Sequence, residues 1–366
     1  MCDTTIQLAE LAAMSNKYGA DPAYVLAGGG NTSYKSADRL WVKGSGTALA
    51  TIKPEDFVVL EREKLAKMWT AVYPENEAAR EAAVLADMMA ARVEGENRRP
   101  SVETLLHDLF PQSYILHVHP AIVNGLTCSQ EGEKAMKRLF PDAVWVDACK
   151  PGYILALECK EKMDAYKAET GKDCQLLFLQ NHGIFFAGQT TQELDALAEK
   201  VMTALSNSVA QQPRLEAISY DEAKVAALSQ KFAAAYGENA QVKFAVCPEI
   251  LDYDPATKSL SPDHIVYAKA KQLSLDGTED IGAAFAAFAA ENGYKPKIVF
   301  VKGLGMFACG MSENEAATAL VVMLDAIKVV AYTKSFGGVS PMPEFLIDFI
   351  VNWEVESYRS KVSLGK

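Results

Sequence analysis

Ile6, Leu8, Leu11, Ala12, Met14 and Tyr18 recur at helical spacing and the run stops at Gly19, which predicts an opening amphipathic helix with a glycine C-cap. Three short extended runs follow, AYVLA, RLWVKG and FVVLE, parted by glycine-rich and Lys-Pro turns. Residues 76–94 are dense in strong helix formers, and SVETLLHDLF predicts a second helix beginning beside Ser101 as its N-cap. SYILHVH, AVWVDA, QLLFLQ and GIFFAG read as strands, and TQELDALAEKVMTAL as a long closing helix. This order predicts an α/β (α+β layered) fold, a central β-sheet flanked by helices, over residues 1–210. The polar stretch SNSVAQQPRLE, carrying Pro213, is the expected linker to a smaller α/β domain over residues 211–366.

The two halves echo one another. QLLFLQNHGIFFAGQTTQELDALAEKVMTAL, from Gln175, resembles KIVFVKGLGMFACGMSENEAATALVVMLDAI, from Lys297, with Phe178 on Phe300, Gly183 on Gly305, Gly188 on Gly310 and Glu193 on Glu315. His182 falls opposite Leu304, so the second domain reads as a degenerate, chemically silent copy of the first. The same echo disposes of a decoy. Gly303-Leu304-Gly305-Met306-Phe307-Ala308 formally matches a dinucleotide fingerprint, but the copied segment reads as strand, turn, strand and then helix, without a tight strand-to-helix turn.

Composition narrows the partners. At 366 residues and 49% apolar content the chain is long enough for two domains with sizeable cores. A net charge of −11 argues against nucleic acid or an anionic membrane as the main partner, while leaving room for a local basic pocket for a small anion. Seven cysteines, with no C-x-x-C pair, read as reduced thiols of a cytoplasmic protein. The N-terminus, MCDTTIQLAELAAM, lacks a basic region and an apolar core, so no export signal is expected.

The candidate chemistry starts from His117-Val118-His119, two of only five histidines. On a strand, residues i and i+2 share a face, so both imidazoles can reach one ion. His182, in Gln180-Asn181-His182-Gly183 between two apolar runs, is the third candidate. Three neutral imidazoles leave a tetrahedral ion one open position, the arrangement of a catalytic zinc site. His107 and His264 read as surface or supporting residues. Glu103 opens the helix that leads to the H-x-H strand, where it is either a dipole-stabilising glutamate or a general base beside the metal. Gly28-Gly29-Gly30-Asn31-Thr32-Ser33 and Lys43-Gly44-Ser45-Gly46-Thr47 offer amide, hydroxyl and ammonium donors suited to a phosphate, although neither is a P-loop.

GGGNTS, KGSG, PSVE, HVHP and NHG, in that order over roughly residues 1–210, resemble the class II aldolase/adducin family. The nearest resemblance is to the aldolase part of the bifunctional rhamnulose-1-phosphate aldolase/lactaldehyde dehydrogenases, through the ETLLHDLFP helix, the SPDH segment and the G-L-G-M-F echo. Those proteins continue into a dehydrogenase where this sequence reaches Lys366, so no oxidoreductase activity is expected. The resemblance implies that His117, His119 and His182 bind Zn²⁺ or another divalent metal and that Glu103 is the catalytic acid/base. It further implies that Asn31, Gly44, Ser45 and Ser101 help hold a phosphate, with Val102 where sugar-phosphate aldolases often have a second serine. The implied activity is an aldehyde-lyase acting on a small-molecule ketose 1-phosphate, in a homo-oligomer whose subunits complete one another's sites. Other relatives are sugar-phosphate epimerases, dehydratases and decarboxylases, and the adducin heads are non-enzymatic binding proteins.

Overall fold

A computed structural model describes residues 4–353, and the chain folds as two compact units. The first comprises Met1–Val123 and Glu133–Asn207, the second Asn124–Gly132 and Ser208–Lys366.

The first unit runs α1 (Thr5–Gly19), β1 (Asn31–Lys35), β2 (Arg39–Lys43), β3 (Phe57–Glu61), α2 (Arg62–Met68), α3 (Glu77–Ala90) and α4 (Thr104–Leu109). In chain order there follow β4 (Tyr114–Val118), α5 (Ala121–Thr127), which from Asn124 on belongs to the second unit, and then α6 (Gly132–Leu139), β5 (Val144–Val146), α7 (Tyr153–Thr170), β6 (Leu176–Leu179), β7 (Gly183–Gly188) and α8 (Thr191–Ser208). Its seven strands lie in the order β3-β2-β1-β4-β7-β6-β5, all pairs antiparallel except β5 with β6. The expected central sheet flanked by helices is therefore the observed one. Every residue of β4, β6 and β7 is buried, which is why these strands read as continuous apolar runs rather than alternating ones. Leu40, Val42, Ile115, Leu177 and Phe185 of the sheet pack in one core with Leu105 and Leu106 of α4 and Ala156 and Cys159 of α7. Each fully buried Leu or Phe contributes about 1.5–3 kcal/mol, enough to hold α4 firmly on the sheet.

Three local expectations are corrected. AYVLA is a turn, not a strand: Asp21 Oδ1 accepts from the Ala23 N–H at 2.8 Å, and Ala27 sits at φ +50°. Gly19 is no left-handed cap, because the C-cap of α1 is Ala20 in right-handed geometry. The glycine is needed because a Cβ there would enter the Leu49–Ala50 backbone. The helix expected from Ser101 begins at Thr104, with Glu103 at its N-cap. Ser101 instead closes the preceding turn, its Oγ accepting from the Glu103 N–H at 3.2 Å.

The second unit contains α9 (Glu222–Tyr236), β8 (Gln241–Ala245), α10 (Pro248–Asp252), α11 (Pro262–Ala268), β9 (Leu273–Leu275), α12 (Ile281–Asn292), β10 (Ile298–Val301), β11 (Gly305–Gly310), α13 (Glu313–Thr333) and α14 (Glu344–Asn352). Its sheet, β8-β11-β10-β9, repeats β4-β7-β6-β5 with the same mixture of parallel and antiparallel pairs. The likeness extends to single hydrogen bonds. Ala187 N–H to Gln175 O (2.9 Å) is matched by Cys309 N–H to Lys297 O (2.7 Å), and His182 N–H to Leu179 O (3.2 Å) by Leu304 N–H to Val301 O (3.0 Å). This sheet has no counterpart of β1–β3 among the described residues. Gly303 and Gly305 lie at the β10–β11 hairpin, not at a strand-to-helix turn. The segment Glu313–Phe336 is long and apolar enough by composition to cross a membrane, but 56% of its apolar window is buried, as in a core helix. Six cysteines are free thiols, and Cys2 lies outside the described residues.

Candidate metal centre

β4 is the middle strand of seven, paired on one side with β1, where His117 faces Asn31, and on the other with β7, where it faces Phe185. The His117 ring is fully buried and stacks on Phe185 with centroids 3.9 Å apart. Its Nδ1 lies 2.9 Å from the Ile184 carbonyl oxygen. A carbonyl only accepts, so Nδ1 carries the proton and the Nε2 lone pair points into the site. His119 follows the end of the strand, two residues on.

The third imidazole arrives through the β6–β7 turn. Asn181 there has φ +55°, and the His182 N–H closes the turn on Leu179 O at 3.2 Å. Gly183 permits the approach: a Cβ on it would lie 2.5 Å from His119 Cδ2 and 2.6 Å from Val118 O. One ligand nitrogen from each of His117, His119 and His182 lies within 4.8 Å of the other two, and the His117 and His119 Nε2 atoms are 2.9 Å apart. A tetrahedral ion with bonds of about 2.1 Å needs its nitrogens about 3.4 Å apart, so the three imidazoles fit a divalent cation after small adjustments.

Glu103 is buried beside them, with Oε1 3.3 Å from His117 Nε2 and 3.5 Å from His182 Nε2. No hydrogen bond satisfies that Oε1. Burial alone would push its carboxyl up, but the imidazoles, His117 foremost, outweigh it and hold Glu103 well below the usual carboxylate range. As an N-cap, Glu103 makes no side-chain capping bond. Its carboxylate is turned to the histidines rather than to the start of its own helix.

The residues expected to hold a phosphate gather close by. Asn31 is the first residue of β1, not part of a loop, and its Nδ2 donates to Glu103 Oε2 at 2.5 Å and to Ser101 Oγ at 3.3 Å. The segment before Glu103 is zipped to the second glycine loop: Gly44 bridges Pro100, the Ser45 N–H donates to Arg99 O at 2.8 Å, and the Ser101 N–H donates to Lys43 O at 3.1 Å. The Ser45 N–H is thus already used within the protein. Lys43, whose side chain is buried, donates from Nζ to Gly30 O at 3.0 Å and joins the two glycine loops.

His107 is no surface residue. It is completely buried, with Nε2 on Asn31 Oδ1 and Nδ1 2.7 Å from Ser33 Oγ. Burial, before any neighbouring charge, keeps its imidazole well below the usual range and therefore neutral. The available signal in the sequence is its position four residues after Glu103, one helical turn away. His264 lies in the second unit, its Nε2 3.1 Å from Asp325 Oδ2.

Residues 9–209 match the family model described as the class II aldolase and adducin N-terminal domain. A curated relative, the "Uncharacterized oxidoreductase YuxG" of Bacillus subtilis (strain 168), is 23% identical over 96% of this chain. The chain spans only 58% of that relative's length. Among solved structures, the N-terminal class II aldolase domain of a conserved protein from Thermoplasma acidophilum is 26% identical, with a TM-score of 0.47, over 54% of this chain and 91% of its own. The L-fuculose-1-phosphate aldolase of Thermus thermophilus is 16% identical, with a TM-score of 0.35, over 54% and 92%.

Proposed function

This chain belongs to the class II aldolase and adducin N-terminal domain family, and from that premise we propose that it is a metal-dependent aldehyde-lyase. It cleaves or forms a carbon–carbon bond in a ketose 1-phosphate of the rhamnulose or fuculose type, exchanging it with dihydroxyacetone phosphate and an aldehyde. The observation that carries this reading is one buried carboxylate oxygen, Glu103 Oε1, without a hydrogen bond and within 3.5 Å of two converging imidazoles.

His117, His119 and His182 would hold Zn²⁺ or another divalent cation, since imidazole nitrogens and an open fourth position suit a catalytic ion. When bound, the ion supplies Lewis-acid stabilisation of negative charge developing on a carbonyl oxygen. Glu103, ionised at neutral pH, carries a proton to and from the carbon beside that carbonyl through Oε1, while Asn31 keeps Oε2 anchored. The Ser101 hydroxyl accepts from both Asn31 and the Glu103 N–H, so its own proton is free to be donated to a phosphate oxygen. The Gly28–Gly30 and Gly44–Ser45 loops and the Lys43 ammonium complete an anion pocket in a chain that is otherwise acidic.

The test is elemental analysis of the purified protein together with a retro-aldol assay over ketose 1-phosphates, with and without a chelator. Cleavage should vanish on chelation and return with Zn²⁺, and Glu103→Gln should keep the metal while losing about 10²–10⁴-fold in rate. Wild-type cleavage by metal-loaded Glu103→Gln would refute the assignment.

A further inference from the structure

α4 and β1 meet as a two-by-two clasp. Asn31 and Ser33 are two apart on β1 and share a face, a spacing of about 6.7 Å. Glu103 and His107 are one helical turn apart, a rise of about 6 Å. The two spacings match, so Glu103 meets Asn31 (2.5 Å) while His107 reaches back to both Asn31 and Ser33.

The directions of these bonds follow from chemistry. A carboxylate oxygen accepts, so Asn31 must turn its Nδ2 toward Glu103 Oε2. The same amide then presents Oδ1 to His107, whose Nε2 must carry the ring proton. Nδ1 is left to accept from the Ser33 hydroxyl. Turning the amide over would set two acceptor oxygens against each other at the Glu103 side.

We propose that His107 is a positioning residue: by holding Asn31 Oδ1 it fixes the rotation of the Glu103 carboxylate, tying down Oε2 and presenting Oε1 to His117 and His182. Its hydrogen bonds go to Asn31 and Ser33 rather than to the metal ligands, and its ring also packs edge-on against Phe185, with centroids 5.5 Å apart. This deepens the reading of Glu103 given above and rests on it.

Two variants of the full-length chain test it, His107→Phe, which keeps the volume but neither bond, and His107→Gln, which can still donate to Asn31. His107→Phe should bind Zn²⁺ at wild-type stoichiometry with KM within about threefold, while kcat falls about 10–100-fold and His107→Gln recovers most of the loss. A kcat for His107→Phe within about twofold of wild type, or a loss falling on KM instead, would overturn the proposal. A second readout needs no turnover. Nitrogen-15 NMR of the histidine rings in the metal-free wild type should show His107 as the Nε2–H tautomer with Nδ1 accepting, and an Nδ1–H tautomer would overturn the proposal even if the Phe variant failed to fold. If the wild type cleaves no ketose 1-phosphate, the lyase reading falls, whereas the tautomer still decides whether His107 orients Asn31.

Discussion

Lys35 offers a quantitative test of the packing around the site. It is the last residue of β1, its side chain is buried, and its Nζ donates to Phe110 O at 2.6 Å. Burial, only partly offset by the nearby Asp108 carboxylate, brings its ammonium from the ordinary 10.5 down to about 7. In the unfolded chain the amine titrates normally. Between pH 7 and pH 10 the unfolded state therefore holds a proton that the folded state has shed, and stability must rise with pH. Each pH unit adds about 1.4 kcal/mol, or about 3 kcal/mol between pH 7 and 9.5. Lys35→Met removes this slope. It also leaves Phe110 O without its donor, a cost of about 1–3 kcal/mol, but that cost is independent of pH and cancels from the comparison. The assay is urea unfolding followed by tryptophan fluorescence, since Trp41, Trp69 and Trp145 lie in the first unit. Wild type and Lys35→Met should converge or cross as pH rises, and parallel curves would refute the burial reasoning.

Other tests bear on the metal centre. Gly183→Ala should lower stability by about 1–3 kcal/mol and weaken Zn²⁺ binding, because its Cβ would displace His119; unchanged affinity in a metal titration would contradict this close approach. His182→Leu, which installs the residue found at the equivalent turn of the second unit, should abolish stoichiometric Zn²⁺ binding without unfolding the chain, as judged by elemental analysis and circular dichroism. Conversely, strand register places Phe244 opposite Phe307 as His117 is opposite Phe185, with Val246 and Leu304 corresponding to His119 and His182. The triple substitution Phe244→His, Val246→His and Leu304→His should raise bound Zn²⁺ by one ion per chain, and no increase would mean that the two turns are not superimposable.

How much was legible in the sequence depended on where each residue's partners lie. β4, β6 and β7 could be read because both faces are buried and the apolar runs are continuous. The three histidines stood out by their spacing and setting, whereas Glu103 had an equally good local role at a helix start, and only the structure shows that its side chain makes no capping bond. β1 could not be read. Its residues Asn31, Thr32 and Ser33 are polar yet buried, and their partners Glu103, Ser15 and His107 lie far along the chain. AYVLA misled in the opposite sense, an apolar run folded by an aspartate turn and a left-handed alanine. The likeness of the second sheet to the first was visible only where the hairpin keeps its glycines. The correspondence of Phe244 with His117 needed strand register.

The second sheet also lacks anything equivalent to β1–β3 among the described residues, and those strands carry Asn31 and Lys43 in the first. Introducing histidines there would give an ion without the proposed base clamp and anion pocket beside it. Point substitution can place a ligand set on that hairpin, but it cannot supply the two strands that carry Asn31 and Lys43. Such a variant would serve as a built-in control, an ion held by a like hairpin in the same molecule without a counterpart of Asn31 or Lys43 on neighbouring strands.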